Sequence, residues 1–306
     1  MMIGKICGTG SGIPVKIMDN DDLSNMVDTN DAWIRERTGV EKRHIAESES
    51  TVSMAVEAGR QALAQTGIRP EELDMIVVST MSPDAVLPCT ACEVQKAIGA
   101  EGAVCFDLQA ACTGFIFAYN TAQAYIQSNM CRTVLLIGSE RLSRLVDWTD
   151  RGTCILFGDG AGAAVLKAAE GRAYLPVSHS DGKKGEALTC DRYIHMDGRA
   201  VFQFAVTRVP EVIREVLTKN ELLMDDIDYF VLHQANRRIV EAVAKRLRQP
   251  IEKFPMNLQE YGNTSSASIP ILLDEMNRSG KLKKGQKLVV AGFGAGLSWG
   301  ASIVEW

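Results

Sequence analysis

The sequence predicts an α/β protein built from two similar halves related by a pseudo-twofold axis, each a sheet covered by helices on both faces. Three observations carry that prediction. Apolar runs of strand length at 75–80, 133–138 and 288–292 contain almost no alternating polar residues, as expected of strands buried on both sides. The chain also resembles itself. Glu71-Glu-Leu-Asp-Met-Ile-Val-Val78 matches Asp225-Asp-Ile-Asp-Tyr-Phe-Val-Leu232, and Thr133-Val-Leu-Leu-Ile-Gly-Ser139 matches Lys287-Leu-Val-Val-Ala-Gly-Phe293, both at an offset of 154 residues. Helix-like segments, 52–66 and 204–219, precede the first member of each pair. The period is too long for a solenoid, so it divides the chain into an N-terminal half, 1–169, and a C-terminal half, 170–306.

Taken in order, the elements place the chemistry. The strand-like run Ala103–Leu108 breaks into small residues around Cys112 and resumes as an apolar helix from Thr113. A cysteine there is either a buried structural residue in a tight strand-to-helix turn or a nucleophile at a helix start. In that position unpaired N–H groups and the helix dipole favour thiolate and offer amides to an oxyanion. The 154-residue offset sets Cys112 opposite Ser266, at the head of Ala267-Ser-Ile-Pro-Ile-Leu-Leu273. The two helix starts are therefore expected to converge, and the functional reading of Cys112 gains from it. His233 follows the strand 229–232 and Asn263 precedes the second of these helices. Taken singly, one is a polar strand cap and the other a helix or turn cap. Together they set a histidine and an amide donor at the sheet edge where α/β proteins bind ligands. The stretch 236–248 reads as a helix, with Arg238, Lys245 and Arg248 along one face. Trp33 and Arg37 lie four apart on another, where they are also compatible with an ordinary solvated face.

Composition sets limits on function. A chain of 306 residues, 46% hydrophobic, buries a large core. Its 33 basic and 38 acidic residues, net −5, make no global basic field for nucleic acid. The start, MMIGKICGTG, carries one lysine and no sustained apolar stretch, so no signal peptide is expected. Even 111–126 is interrupted by Thr113, Asn120, Thr121 and Gln123, so no membrane span is expected. The reading is cytoplasmic. Eight cysteines suit a reducing compartment. Cys89-Thr-Ala-Cys92 is a lone CxxC without a second pair at zinc-ribbon spacing, and the four histidines are scattered, so no metal is expected. The stretches 8–12, 158–162 and 292–300 are glycine-rich but lack G-x-G-x-x-G spacing, and the last two run into β-like segments.

With those residues in place the chain resembles the thiolase-fold condensing enzymes and, more narrowly, the β-ketoacyl-acyl carrier protein synthase III family. The resemblance rests on WIRERTGVEKR (33–43), ACTGF (111–115), DRGTCILFGDGAGA (150–163), HQANRRI (233–239), YGNTS (261–265) and GFGAGLSWG (292–300), in that order along nearly the whole chain. It implies an αβαβα layering and the initiating condensation of bacterial type II fatty acid synthesis. Cys112 would take an acyl group from coenzyme A, with His233 and Asn263 holding malonyl-acyl carrier protein as it loses CO₂. The amides of Cys112 and Ala295 would form the oxyanion hole. The resemblance assigns Thr29, Trp33, Arg37, Arg151, Gly152 and Asn236 to coenzyme A, and Leu87 to the primer pocket across a homodimer interface. The basic residues Arg238, Lys245 and Arg248 are read as carrier docking. No cofactor is implied beyond the coenzyme A thioester that serves as substrate.

The chain departs from the family pattern in four places. Gly294-Ala-Gly296 replaces three glycines, Gln203 stands where a basic residue is usual, and Leu87 stands for the phenylalanine of acetyl-selective members. The connection from about 170 to 195 is shorter than usual. Gln203 and that connection keep open a polyketide or quinolone starter enzyme, or an acyltransferase with another acceptor. A non-catalytic acyl-binding subunit is the third reading, and the intact Cys112, His233 and Asn263 argue against it.

Overall fold

In the computed structural model, which describes residues 1–306, two sheets lie between three layers of helices. The first sheet contains β1 (Met2–Gly12), β2 (Met75–Ser79), β3 (Val104–Leu108), β4 (Thr133–Glu140) and β5 (Gly160–Glu170), in the order β1-β5-β4-β2-β3. The second contains β6 (Val177–Ser180), β7 (Tyr229–Leu232), β8 (Lys287–Gly294) and β9 (Ser298–Glu305), in the order β7-β8-β9-β6. The principal helices are α1 (Asp31–Thr38), α2 (Thr51–Thr66), α3 (Thr90–Ile98), α4 (Gly114–Gln127), α5 (Gly198–Lys219), α6 (Arg237–Leu247) and α7 (Ser268–Arg278).

The self-similarity extends to strand register. Met75 pairs with Val134 in the parallel β2–β4 ladder, and Tyr229 with Leu288 in the parallel β7–β8 ladder, 154 residues on. α4 and α7 begin at Gly114 and Ser268, again 154 apart, each after a 3₁₀ turn at Ala111–Thr113 or Ser265–Ala267.

The absence of polar alternation in the strands has a direct cause. Alternate residues face different apolar layers, so both sides must be hydrophobic. Ile76, Val78, Leu135 and Ile137 pack outward against α2 and α3, while Val77 and Leu136 face inward onto Phe115, Ile116, Ile269 and Leu272 of α4 and α7. In the second sheet Phe230, Leu232 and Val289 face α5 and α6, and Val231 and Val290 join the central layer. The layers run α2/α3, sheet, α4/α7, sheet, α5/α6, which is the αβαβα arrangement of the thiolase fold.

Local chemistry sets the helix ends. Ser50 caps α2 reciprocally with Ser53, and left-handed Gly67 stops it. α5 begins at Gly198, six residues before the predicted 204, because the Asp197 carboxylate accepts from the Arg199 and Ala200 amides. α6 is shorter than the predicted 236–248. Asn236 is its N-cap, and Arg248 is a left-handed C-cap residue at φ 57, which takes Arg248 out of the helical face shared by Arg238 and Lys245. The glycine-rich 8–12 segment is the end of β1 beneath α2, where a Cβ on Gly10 would lie 2.2 Å from the Ala58 carbonyl oxygen. Close helix–strand packing accounts for it.

Candidate active site

The two 3₁₀ turns ahead of α4 and α7 pack against each other at the centre of the molecule. A left-handed residue makes each turn, Ala111 at φ 46 and Ser265 at φ 50. Non-glycine residues are rarely found there. A cavity of about 240 Å³ opens beside the first turn and is lined by Cys112, His233, Asn263 and Ala295 together. Met81, Leu142 and Phe157 make part of its apolar wall, and Arg37, Gly152 and Asn236 also line it.

Cys112 is buried and abuts the 294–298 turn so closely that a Cβ on Gly294 would lie 2.8 Å from the Cys112 nitrogen. The Thr113 and Ser298 hydroxyls, 2.6 Å apart, tie that turn to the start of α4. Neither the Cys112 nor the Ala295 amide is spent on a backbone carbonyl in the loop hydrogen-bond pattern. The thiol itself is not poised as a thiolate. Burial pushes it up to about 12. Proximity of the Ser265 hydroxyl, which is buried without a hydrogen-bond partner, and the cysteine's own N–H pull it back, and the Glu140 carboxyl raises it further. Desolvation therefore outweighs the helix terminus at this position.

His233 stands at the C-terminal end of β7, its own N–H donating to Ala291 O at 2.9 Å. Its ring meets Phe293 edge-on, with centroids 5.6 Å apart. Nδ1 lies 2.7 Å from Ser268 Oγ on α7. Burial lowers the imidazole to about 3, which makes it a neutral group at physiological pH. Asn263 is held by its main chain, donating to Leu156 O at 2.8 Å and accepting from the Gly158 amide at 3.1 Å. The preceding Gly262 has φ 65 and sits where a Cβ would come within 2.7 Å of Leu156 O. Asn263 Oδ1 accepts from the Ser265 N–H at 2.9 Å, which leaves the NH₂ group for the cavity.

Glu140, Ser265 and Ser268 escaped the sequence reading. For Ser268 the signal was in the repeat, which pairs it with Gly114, and His233 with Ser79; nothing in the sequence marked Glu140 or Ser265. Ser266, the counterpart of Cys112, is turned into the protein, its hydroxyl within hydrogen-bond reach of two acceptors, Ser79 O at 3.0 Å and Glu140 Oε1 at 2.9 Å. Fully buried Glu140 also accepts from Ser82 Oγ and the Met81 amide, and burial raises its carboxyl. One helix start thus faces a cavity, while its mate is filled by a buried carboxyl.

Of the remaining predicted residues, Arg37, Gly152 and Asn236 line the cavity, while Thr29, Trp33, Arg151, Leu87, Arg238 and Lys245 lie outside it. The Arg151 guanidinium sits 4.8 Å over the Trp33 ring and Arg37 approaches the same ring at 5.9 Å. Thr29 Oγ1 is buried without a hydrogen-bond partner, and Asn236 donates from Nδ2 to Arg37 O. Leu87 is 82% exposed and does not line its own chain's cavity. Arg238, stacked over Phe202, and Lys245 are exposed on α6. The glycine-rich 158–162 and 292–300 segments belong to strands and the turn between β8 and β9. Cys89 and Cys92 approach to 3.4 Å.

Alkylation of Cys112 by iodoacetamide tests its titration. The thiolate fraction of a group titrating at about 12 rises tenfold per pH unit below that value. Labelling of the Cys112 peptide, read by mass spectrometry, is expected to accelerate by about that factor per unit between roughly pH 6 and pH 9 without levelling. A plateau below about pH 8 would mean that the helix terminus and Ser265 overcome burial.

Comparison with known proteins identifies the family. Residues 106–182 match the family described as 3-oxoacyl-[acyl-carrier-protein (ACP)] synthase III, and residues 217–306 match its C-terminal region. The chain is 47% identical to the β-ketoacyl-[acyl-carrier-protein] synthase III of Clostridium novyi, over 99% of this chain and 98% of that one. It superposes on the crystal structure of 3-oxoacyl-[acyl-carrier-protein] synthase III from Aquifex aeolicus with a TM-score of 0.97 at 44% identity, covering 99% of this chain and 100% of the other. The priming β-ketosynthase of the R1128 polyketide pathway gives 0.95 at 36% identity, covering 99% and 96%. From its strand register to its sequence motifs, this chain belongs to the 3-oxoacyl-[acyl-carrier-protein] synthase III family of condensing enzymes.

Proposed function

We propose that this protein carries out the initiating condensation of bacterial type II fatty acid synthesis. The observation that carries the reading is the meeting of Cys112, His233 and Asn263 on one cavity beside two amides, of Cys112 and Ala295, that donate to no backbone carbonyl. Cys112 attacks the thioester carbonyl of an acyl-coenzyme A, forming the acyl-cysteine and expelling coenzyme A, whose sulfur takes the proton. Malonyl-acyl carrier protein then places its thioester carbonyl against the two N–H donors, the imidazole of His233 and the carboxamide of Asn263. Breaking the carboxylate C–C bond releases CO₂ and leaves an enolate whose oxygen those donors stabilise. The enolate carbon attacks the acyl-Cys112 carbonyl, and the resulting oxyanion meets the Cys112 and Ala295 amides. Collapse expels the Cys112 sulfur and yields 3-oxoacyl-acyl carrier protein. Carboxylate departure supplies the carbon nucleophile, so no step requires a metal or a bound cofactor.

Coenzyme A is assigned to the groove outside the cavity. The stacked Trp33 and Arg151 form an adenine clamp of aromatic face and guanidinium plane. Arg37, Gly152 and Asn236 line the path inward, and the Thr29 hydroxyl, buried without a hydrogen-bond partner, is assigned to the same ligand. A homodimer through β3 is supported by its open sheet edge and by exposed Val86, Leu87 and Val104. In that assembly Leu87 closes the partner's primer pocket. Arg238 and Lys245 face the acidic carrier. Eight free cysteines accord with a cytoplasmic location. A second reading, starter condensation for polyketide synthesis, draws support from the likeness to the R1128 enzyme and from Gln203.

Three outcomes are expected. Cys112→Ala abolishes acyl capture and condensation together, whereas Asn263→Ala keeps capture but loses roughly a hundredfold or more of malonyl-carrier decarboxylation. Intact decarboxylation with lost capture in Asn263→Ala would invert these assignments. Charge reversal of Arg238 and Lys245 to Glu raises KM for malonyl carrier at low salt and leaves capture from coenzyme A unchanged. Equal KM values would remove the docking surface. In a series of acyl-coenzyme A primers, the wild type accepts chains a few carbons beyond acetyl. Each methylene with apolar room contributes about 0.8 kcal/mol, several-fold in kcat/KM. Leu87→Phe depresses the longer primers and spares acetyl. A strict acetyl preference in the wild type would show that Leu87 does not set chain length.

A further inference from the structure

We propose that Ser268 is a positioning residue that fixes the tautomer of His233, holding the imidazole proton on Nε2, where it faces the cavity. The inference rests on the decarboxylating role given above to His233. The Ser268 hydroxyl is buried and lies 2.7 Å from His233 Nδ1. The same oxygen accepts from the Gln234 main-chain N–H at 3.3 Å. A serine hydroxyl has one proton to give, and His233 Nδ1 is the one acceptor within hydrogen-bond reach of it. With Nδ1–H as donor the oxygen would accept twice and its buried proton would have no partner, so the arrangement favours Nδ1 as the acceptor. A neutral imidazole carries a single N–H, so the other nitrogen must be the donor. Nε2 makes no hydrogen bond within the protein, and His233 lines the cavity. Burial supports the neutral form of the ring, because it disfavours the imidazolium that would make the tautomer question moot.

The internal repeat isolates the device. At the related junction His233 is replaced by Ser79 and Ser268 by Gly114. There a Cβ on residue 114 would lie 1.9 Å from Ser79 Oγ. The first residue of the central helix thus carries a hydroxyl in the half that has an imidazole to orient, and no side chain in the half that does not. The consequence for catalysis is one of sign. With the proton on Nδ1, Nε2 would present a lone pair to the enolate oxygen, and the site would lose one of its two donors to repulsion.

The test reads the tautomer independently of turnover. The chain has four histidines, so ¹⁵N-histidine labelling gives a short spectrum, with the His233 signals identified by their loss in His233→Asn. The wild type is expected to show unprotonated Nδ1 and protonated Nε2. Ser268→Ala is expected to shift the His233 signals toward the other tautomer and to lower kcat for malonyl-carrier decarboxylation by roughly ten- to a hundredfold, the range usual for lost orienting partners. Acyl capture by Cys112 stays at the wild-type level. Ser268→Thr, which keeps the hydroxyl, restores both tautomer and rate. A wild-type spectrum with the proton on Nδ1 overturns the proposal even if Ser268→Ala does not fold, and so does an unchanged tautomer in Ser268→Ala. Capture that survives in Cys112→Ala would instead overturn the assigned chemistry and leave the tautomer result standing.

Discussion

A helix that starts inside a protein leaves its first amide groups without carbonyl partners and away from water, and α4 and α7 both start inside this one. Their meeting, through two 3₁₀ turns packed between the sheets, is the constraint on which the rest of the structure depends. Each turn needs a left-handed residue, Ala111 or Ser265, at a cost on the order of 1 kcal/mol each. The matched registers of the two parallel ladders hold them there. On the α7 side the protein satisfies itself, with Ser266 hydrogen-bonded to Ser79 O and Glu140. On the α4 side the equivalent position is a cysteine facing open space. Two nearly identical junctions become one filled core and one cavity lined by a cysteine through the choice of a few side chains.

In the proposed reaction the site works with neutral donors. His233 is kept uncharged by burial and Asn263 cannot ionise. A fixed positive charge in their place would grip the malonyl carboxylate and carbonyl as firmly as the enolate, and binding that does not distinguish ground from transition state gives no acceleration. Two N–H dipoles aimed at one oxygen gain most as negative charge moves onto it. The same burial raises the Cys112 thiol and the Glu140 carboxyl, so desolvation works against charge at the centre. Charge is placed outside instead, in the arginines around Trp33 and along α6.

Much of the architecture was legible in the amino-acid order. Offset matches of a few residues predicted the two related sheets, because strands buried on both faces must repeat the same unalternating apolar pattern wherever they recur. The helix cores were legible for the same reason. Their ends were read less well, since α5 starts where the Asp197 side chain folds back on it and α6 stops where Arg248 turns left-handed. Both are decisions of single side chains and dihedrals, invisible to periodicity.

Cys112, His233 and Asn263 could be named from the sequence because each falls at a strand-to-helix junction, and the repeat says where such junctions lie. Their convergence on one cavity was decided by tertiary structure alone, since 121 residues of chain separate Cys112 from His233 and only the stacking of the sheets closes that gap. The electrostatics belonged to tertiary structure too. A helix terminus suggests a thiolate, but the depth at which Cys112 is buried, and the carboxyl that approaches it from β4, lie in no local stretch of sequence. The same holds for Ser268. Its register with His233 was written in the repeat, but the 2.7 Å contact that makes a serine matter to an imidazole exists only once α7 packs beneath the end of β7.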